Sequence, residues 1–234
     1  MRRAAVALIA LLFAAEAHAQ VSGRIALLSD YRFRGVSLSS GDPALQATIA
    51  YDHADGWYGG ALLSSARLAP DEPRSAQWLV YAGYARRISD SLSWELGVDY
   101  TRFTGHEHYA YPEIYVGLAS EHLAGRIYYA HNYFRSGVPE VYAELNGTRP
   151  ISGRFYVFAH LGMLRRNGQG ADYVHVGHTR FDIRAGIGAA WRAWNAQLGW
   201  SDVRGASGGP DAFGYPTAGH SDDHAWVLSL SYAW

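Results

Sequence analysis

Eleven histidines and a set of charged residues spaced two apart are the side chains from which any chemistry of this chain would be built. His106-x-His108, His175-x-x-His178 and the run His220, Asp222, Asp223, His224 have spacings that a divalent metal could use. Each set falls in an expected loop or at its edge, where exposed histidine is commonplace, so neither a metal nor a cofactor is expected. Gly186-x-Gly188 lies inside an expected strand, whereas a dinucleotide loop needs its glycines after a strand and before a helix. A lipid hydrolase built on a strand needs base and nucleophile on one face, and a period of two makes His-x-Ser the shortest such pair. No histidine is followed two residues later by Ser, so the chain is not expected to be an enzyme.

The acids and arginines say more. Asp30, Arg32 and Arg34 alternate with Tyr31 and Phe33; on a strand the charges share one face and the rings, expected toward lipid, the other. Arg24, Glu95, Asp99, Glu113, Arg126, Glu144, Asp182 and Arg184 are further candidates for an enclosed, pore-lining face. Two readings stand for the Asp30 cluster: a charged constriction, or a structural ion cluster that pins the first loop, since burying an ion costs less beside its opposite. The signs are mixed throughout, which argues against a strongly selective ring and suits a salt-bridge network that narrows a lumen.

Such a face requires elements that enclose it. Alternation and turn residues place twelve strands at about 22–34, 43–52, 57–66, 76–87, 91–102, 110–120, 123–134, 139–149, 153–164, 179–191, 193–202 and 223–234. Most are ten to thirteen residues long, where soluble strands average ~5 to 6 residues and a tilted membrane strand needs ~9 to 11. Links after even strands are short, and links after odd ones are longer, notably 35–42, 67–75, 103–109, 165–178 and 203–222. That is the outer-membrane arrangement. In the fifth strand Leu92, Trp94, Leu96, Val98 and Tyr100 oppose Ser93, Glu95, Gly97, Asp99 and Thr101. Gly97, facing inward, is expected to accept Ser. In the last strand Trp226, Leu228, Leu230, Tyr232 and Trp234 oppose Val227, Ser229, Ser231 and Ala233, a large apolar face against a small one. Its edge is expected to pair with strand one, because hydrocarbon satisfies no backbone donor.

Composition agrees. Arg2 and Arg3, an apolar run over 4–15 and Ala17-His18-Ala19 read as a cleavable signal peptide over 1–19, with the barrel from 20 to 234. There is no cysteine to form a disulfide, and with a formal net charge of −1 and no basic run there is no support for a nucleic-acid partner. The expected surroundings are outer-membrane lipid and lipopolysaccharide, with the barrel-assembly machinery engaging the C-terminal strand.

Ser29-Asp30-Tyr31-x-Phe33-Arg34-Gly35, followed by Gly41-Asp42-Pro43-Ala44-x-Gln46, resembles the opening of the TorF family, uncharacterised proteobacterial outer-membrane proteins regarded as porins. The resemblance is specific from Ser29 to about Ser64, and weaker at Glu95–Tyr100, Glu113–Gly117 and Tyr142–Asn146. Where Arg32 stands, that family usually has an uncharged or aliphatic residue. The resemblance implies a barrel and a porin, and supplies no catalytic residue or substrate. The reading is therefore an all-β, twelve-stranded antiparallel outer-membrane barrel acting as a narrow, weakly selective channel for small solutes. The alternative is a closed barrel that serves structurally or through its loops in adhesion or recognition.

Overall fold

The computed structural model describes residues 19–133, 138–170, 173–205 and 224–234. Alternation of large apolar with small or polar residues does what it must in hydrocarbon: every barrel strand is paired on both edges, and the sheet closes on itself. The barrel strands are β1 (Ala19–Leu28), β4 (Ala44–His53), β5 (Trp57–Ala66), β6 (Ser75–Ser89), β7 (Leu92–Phe103), β8 (His106–Ser120), β9 (Leu123–Ala130), β10 (Glu140–Ser152), β11 (Phe155–Gly170), β12 (Tyr173–Trp191), β13 (Trp194–Arg204) and β14 (His224–Ala233). Consecutive barrel strands pair antiparallel, and β14 returns to β1 to complete the twelve-stranded ring. The remaining two elements, β2 (Arg32–Phe33) and β3 (Val36–Ser37), form a separate small hairpin.

The seam is closed by backbone and side chain together. Arg24 to Leu28 register with Ala233 to Ser229, and Gly23 and Trp234 exchange backbone hydrogen bonds of 3.1 and 3.0 Å. The Trp234 indole occupies the space that a side chain at position 23 would need, so glycine there seats the ring.

Facing follows the period of two. On β7, Leu96, Val98 and Tyr100 are exposed outward while Gly97, Asp99 and Thr101 are buried inward; on β14, Trp226, Leu228 and Leu230 point out and Val227, Ser229 and Ser231 point in. The outside is thus a belt of Leu, Ile and Val, with aromatic residues at both margins. Trp57, Trp191, Trp194 and Trp234 mark the short-turn end; Trp78, Tyr129, Phe181 and Trp226 mark the other. Trp57 meets Tyr84, and Trp194 meets Tyr232, edge to face at 5.1 Å.

Several expectations change. The first strand stops at Leu28 and not at 34, because residues 29–43 turn into the lumen. Tyr31 is accordingly buried in an inner cluster with Phe33 packed against it, so neither ring faces lipid. Residues 103–109 are not a loop, since β8 begins at His106. Nor are 165–178: β11 and β12 run on and pair from Arg165↔Thr179 to Gly170↔Tyr173. Length alternation between links is therefore weaker than the composition implies. Gly97 is also tighter than expected, for a Cβ there would run into the Tyr115 ring and come within 2.8 Å of the Ala82 carbonyl oxygen. Gly97→Ser is expected to cost about 1–3 kcal/mol through overpacking. A lower temperature for loss of the compact gel form would register it; an unchanged temperature would mean that the Tyr115 ring yields freely.

Residues 1–18 of the expected signal peptide, Gly208, Gly209, Gly214 and Gly219 of the last loop, and His220, Asp222 and Asp223 lie outside the described residues, while Ala19, the last residue of that expected peptide, opens β1.

Candidate functional site

The lumen divides into an outer half filled by the first loop and an inner half that is open. Residues 32–37 build the filler. Arg32 pairs with Ser37 and Phe33 with Val36, leaving Arg34 and Gly35 as a two-residue turn with φ of 50° and 80°. Positive φ at both central positions is the hairpin geometry whose twist matches its strands, and it normally takes Asn or Gly at the first position. Arginine there carries backbone strain, which points to a role for its side chain. Gly35 is required twice over, by its φ and because Asp182 and Val203 on the β12–β13 wall leave no room for a Cβ.

Arg34 is 7% exposed. Its guanidinium bonds Glu113 of β8 at 2.6 Å and Glu140 of β10 at 3.3 Å, and lies over the rings of Tyr142 at 4.4 Å and Tyr128 at 5.2 Å. Burial works against its charge, but Glu113 above all, with Tyr111, Tyr133 and Glu140, outweighs that and holds its pKa well above the ordinary value. The stem of the loop is tied separately. Asp30 accepts from Arg32 at 2.7 Å, from Ser37 at 2.5 Å and from Ser39 at 3.1 Å, and the Tyr31 hydroxyl donates to Gln77 of β6 at 2.6 Å. Around these contacts Val36, Leu38, Leu68, Phe103, Tyr111 and Tyr133 form an apolar core inside the barrel mouth, with Leu38 fully buried. Asp30 and Arg32 thus pin the loop, while Arg34 crosses the lumen.

Beneath the loop lies a cavity of about 890 Å³ roofed by Arg32, Phe33 and Arg34. Glu95 is its best-bound acid: Arg126 reaches both its oxygens, at 2.6 and 3.2 Å, and the Tyr58 hydroxyl donates at 2.7 Å. Glu144 accepts from Tyr128 at 3.3 Å. Asp182 lies 2.9 Å from His160, whose other ring nitrogen is 2.7 Å from Asn146, and Tyr142 donates to it at 3.3 Å. Asp99 and Arg184 line the cavity as well, and among the described residues neither is in an ion pair. Arg24, on β1, is exposed and meets no acid among the described residues.

The eleven charged candidates are therefore split. Asp30, Arg32, Arg34 and Glu113 belong to the stopper; Glu95, Arg126, Glu144, Asp182, Asp99 and Arg184 surround the vestibule. Arg24 and Arg184 do not reach the acids that alternation placed with them. Glu140 was missed, as were the inward tyrosines Tyr58, Tyr115, Tyr128, Tyr142 and Tyr156. Their signal was available: Tyr115 shares its phase with Glu113, and Tyr142 with Glu144. Of the histidine sets, His106 lies 3.4 Å from Glu72 and His224 is exposed; the side chains of His108, His175 and His178 lie outside what is described.

In three dimensions the chain is similar to porins. The NanC porin matches with a TM-score of 0.56 at 12% identity, over 91% of this chain and 99% of that one. A KdgM porin in complex with disordered oligogalacturonate matches with a TM-score of 0.53 at 11% identity, over 92% of this chain and 98% of that one. At such identities the likeness is one of fold: a porin-like barrel of the outer-membrane type. No curated protein matches the sequence. Residues 14–233 match the family described as bacterial protein of unknown function (Gcw_chp), and the chain belongs to that family.

Proposed function

We propose that the protein is an outer-membrane channel for small solutes whose first loop acts as a stopper, so that it passes little current at rest. The observation that carries this reading is the pairing of a polar vestibule of about 890 Å³ with a roof held across the lumen by one side chain, Arg34. A barrel with twelve strands is wider than the ~eight that side chains alone can fill, and narrower than the sixteen to eighteen of a wide aqueous pore. Glycines at 83, 97, 117, 162 and 188 on the inner wall leave the remaining space to tyrosine rings and their hydroxyl partners. The resemblance of the opening motif to TorF proteins points the same way.

The apolar core in the barrel mouth favours a second reading, a permanently closed barrel. Purified protein in a planar bilayer separates the two. The channel reading expects conductance well below that of a wide porin, with only mild preference between cations and anions because Arg34–Glu113 and Arg126–Glu95 cancel locally. Silence from the wild type and from Arg34→Ala, with the barrel folded, would favour the closed reading.

A further inference from the structure

Most charged groups around the vestibule are engaged; Asp52 is unpaired but exposed, and two others, Arg184 and Asp99, hold buried atoms without partners. Among the described residues Arg184 on β12 donates only to Gln197, at 3.4 Å, and rests on the Phe158 face at 5.1 Å. Its Nε is buried without a hydrogen-bond partner. Asp99 on β7 is 7% exposed, and its Oδ1 is buried without a partner. Buried polar atoms are nearly always bonded, so each of these requires an explanation. The two are opposite in sign and line the same cavity. They also stand at the same height: Asp99 is the eighth residue from Leu92 at the foot of β7, and Arg184 the eighth from Trp191 at the foot of β12. Around the ring, β8 to β11 separate them on one side and β13, β14, β1, β4, β5 and β6 on the other, so they occupy facing walls.

Neither charge has a counter-ion of its own among the described residues. Glycine at 199 keeps the space beside the guanidinium clear, since a Cβ there would lie 3.1 Å from Nε and 2.9 Å from the Phe158 ring. Asp99 registers with Glu113, whose charge Arg34 already meets at 2.6 Å, which leaves Asp99 as the open carboxylate of that wall. One wall therefore attracts an anion and the other a cation.

We infer that the vestibule binds small zwitterions, of the amino-acid or short-peptide class, with Arg184 receiving the carboxylate and Asp99 the ammonium. A solute carrying both charges satisfies both orphaned atoms at once and leaves no net charge in the lumen. A solute with one charge satisfies only one wall, and a neutral sugar neither.

This inference rests on the channel reading for how solutes reach the site, yet binding can be measured apart from current. The test is calorimetric titration of the folded, detergent-solubilised chain with alanyl-alanine, acetate, ethylammonium and glucose. Alanyl-alanine is expected to bind at least about tenfold more tightly than either singly charged probe, the scale of one charge-assisted hydrogen bond. Arg184→Gln should weaken alanyl-alanine and acetate; Asp99→Asn should weaken alanyl-alanine and leave acetate unchanged. Acetate binding as tightly as the dipeptide, tighter binding of glucose, or no dipeptide binding would each overturn the inference, and the wild-type probe series decides this even if a variant does not fold. Dipeptide binding to a folded barrel that is silent both as the wild type and as Arg34→Ala would end the channel reading and keep the site. Current without dipeptide binding would do the reverse.

Discussion

Arg34→Ala is expected to raise single-channel conductance several-fold while the barrel still assembles. Removing the guanidinium leaves Glu113 and Glu140 facing each other in a buried space with their principal cation gone, and breaking a buried pair in this way costs about 3–5 kcal/mol. The cost falls on the inserted state of the loop, because carboxylates left by a withdrawn loop regain water. The rings of Tyr128 and Tyr142 lose their cation as well. The Asp30 contacts with Ser37 and Ser39 survive, so the stem stays folded while the tip is released. Bilayer recording with a heat-modifiability gel on the same preparation checks both halves. Unchanged conductance from folded protein would mean that the apolar core around Leu38 holds the loop without the ion pairs.

Leu96→Arg is expected to abolish assembly. Leu96 is 53% exposed near the middle of β7, in the belt between the aromatic margins, and an arginine at such a position on a barrel's lipid face costs about 2–4 kcal/mol. The loss should appear as an absence of the compact form on unheated gels and of protein from the membrane fraction. Normal assembly would require that this face meet water or another protein surface instead of lipid.

The barrel was legible in the sequence because its physics is periodic: hydrocarbon outside and a crowded lumen inside force large and small residues to alternate, as on β7 and β14. The first loop was not, for an instructive reason. Residues 29–34 continue the alternation of β1, but only Arg32 and Phe33 are strand, and their partners are Ser37 and Val36 and not the barrel wall. Alternation reports strand geometry without naming the sheet. The turn itself was hidden because Arg34 stands where Asn or Gly would announce it. At the far end of β11, Asn167-Gly168-Gln169-Gly170 has the composition of a loop, yet pairing with β12 carries those residues as strand. The vestibule was half legible: the acids and arginines stood out by charge, whereas the inward tyrosines, uncharged, did not. Their hydroxyls explain the difference, since a buried phenol needs a polar partner and Glu95, Glu144, His160 and Asn195 supply one each.

The reach of the first loop constrains the order in which the protein is made. Its side chains touch β6, β8 and β10, and its tip presses on β12 and β13, so most of the ring already surrounds it. The final pairing, β1 with β14, joins the two barrel strands farthest apart in sequence, and contacts of that separation form late because the chain entropy between them must be lost first. A hairpin tied by Gln77, Glu113 and Glu140 is more readily wrapped than threaded through a finished ring. The loop is therefore expected to serve as a mandrel, with strands gathering around it, the ion pairs forming as the wall arrives and the seam shutting last over an interior already occupied.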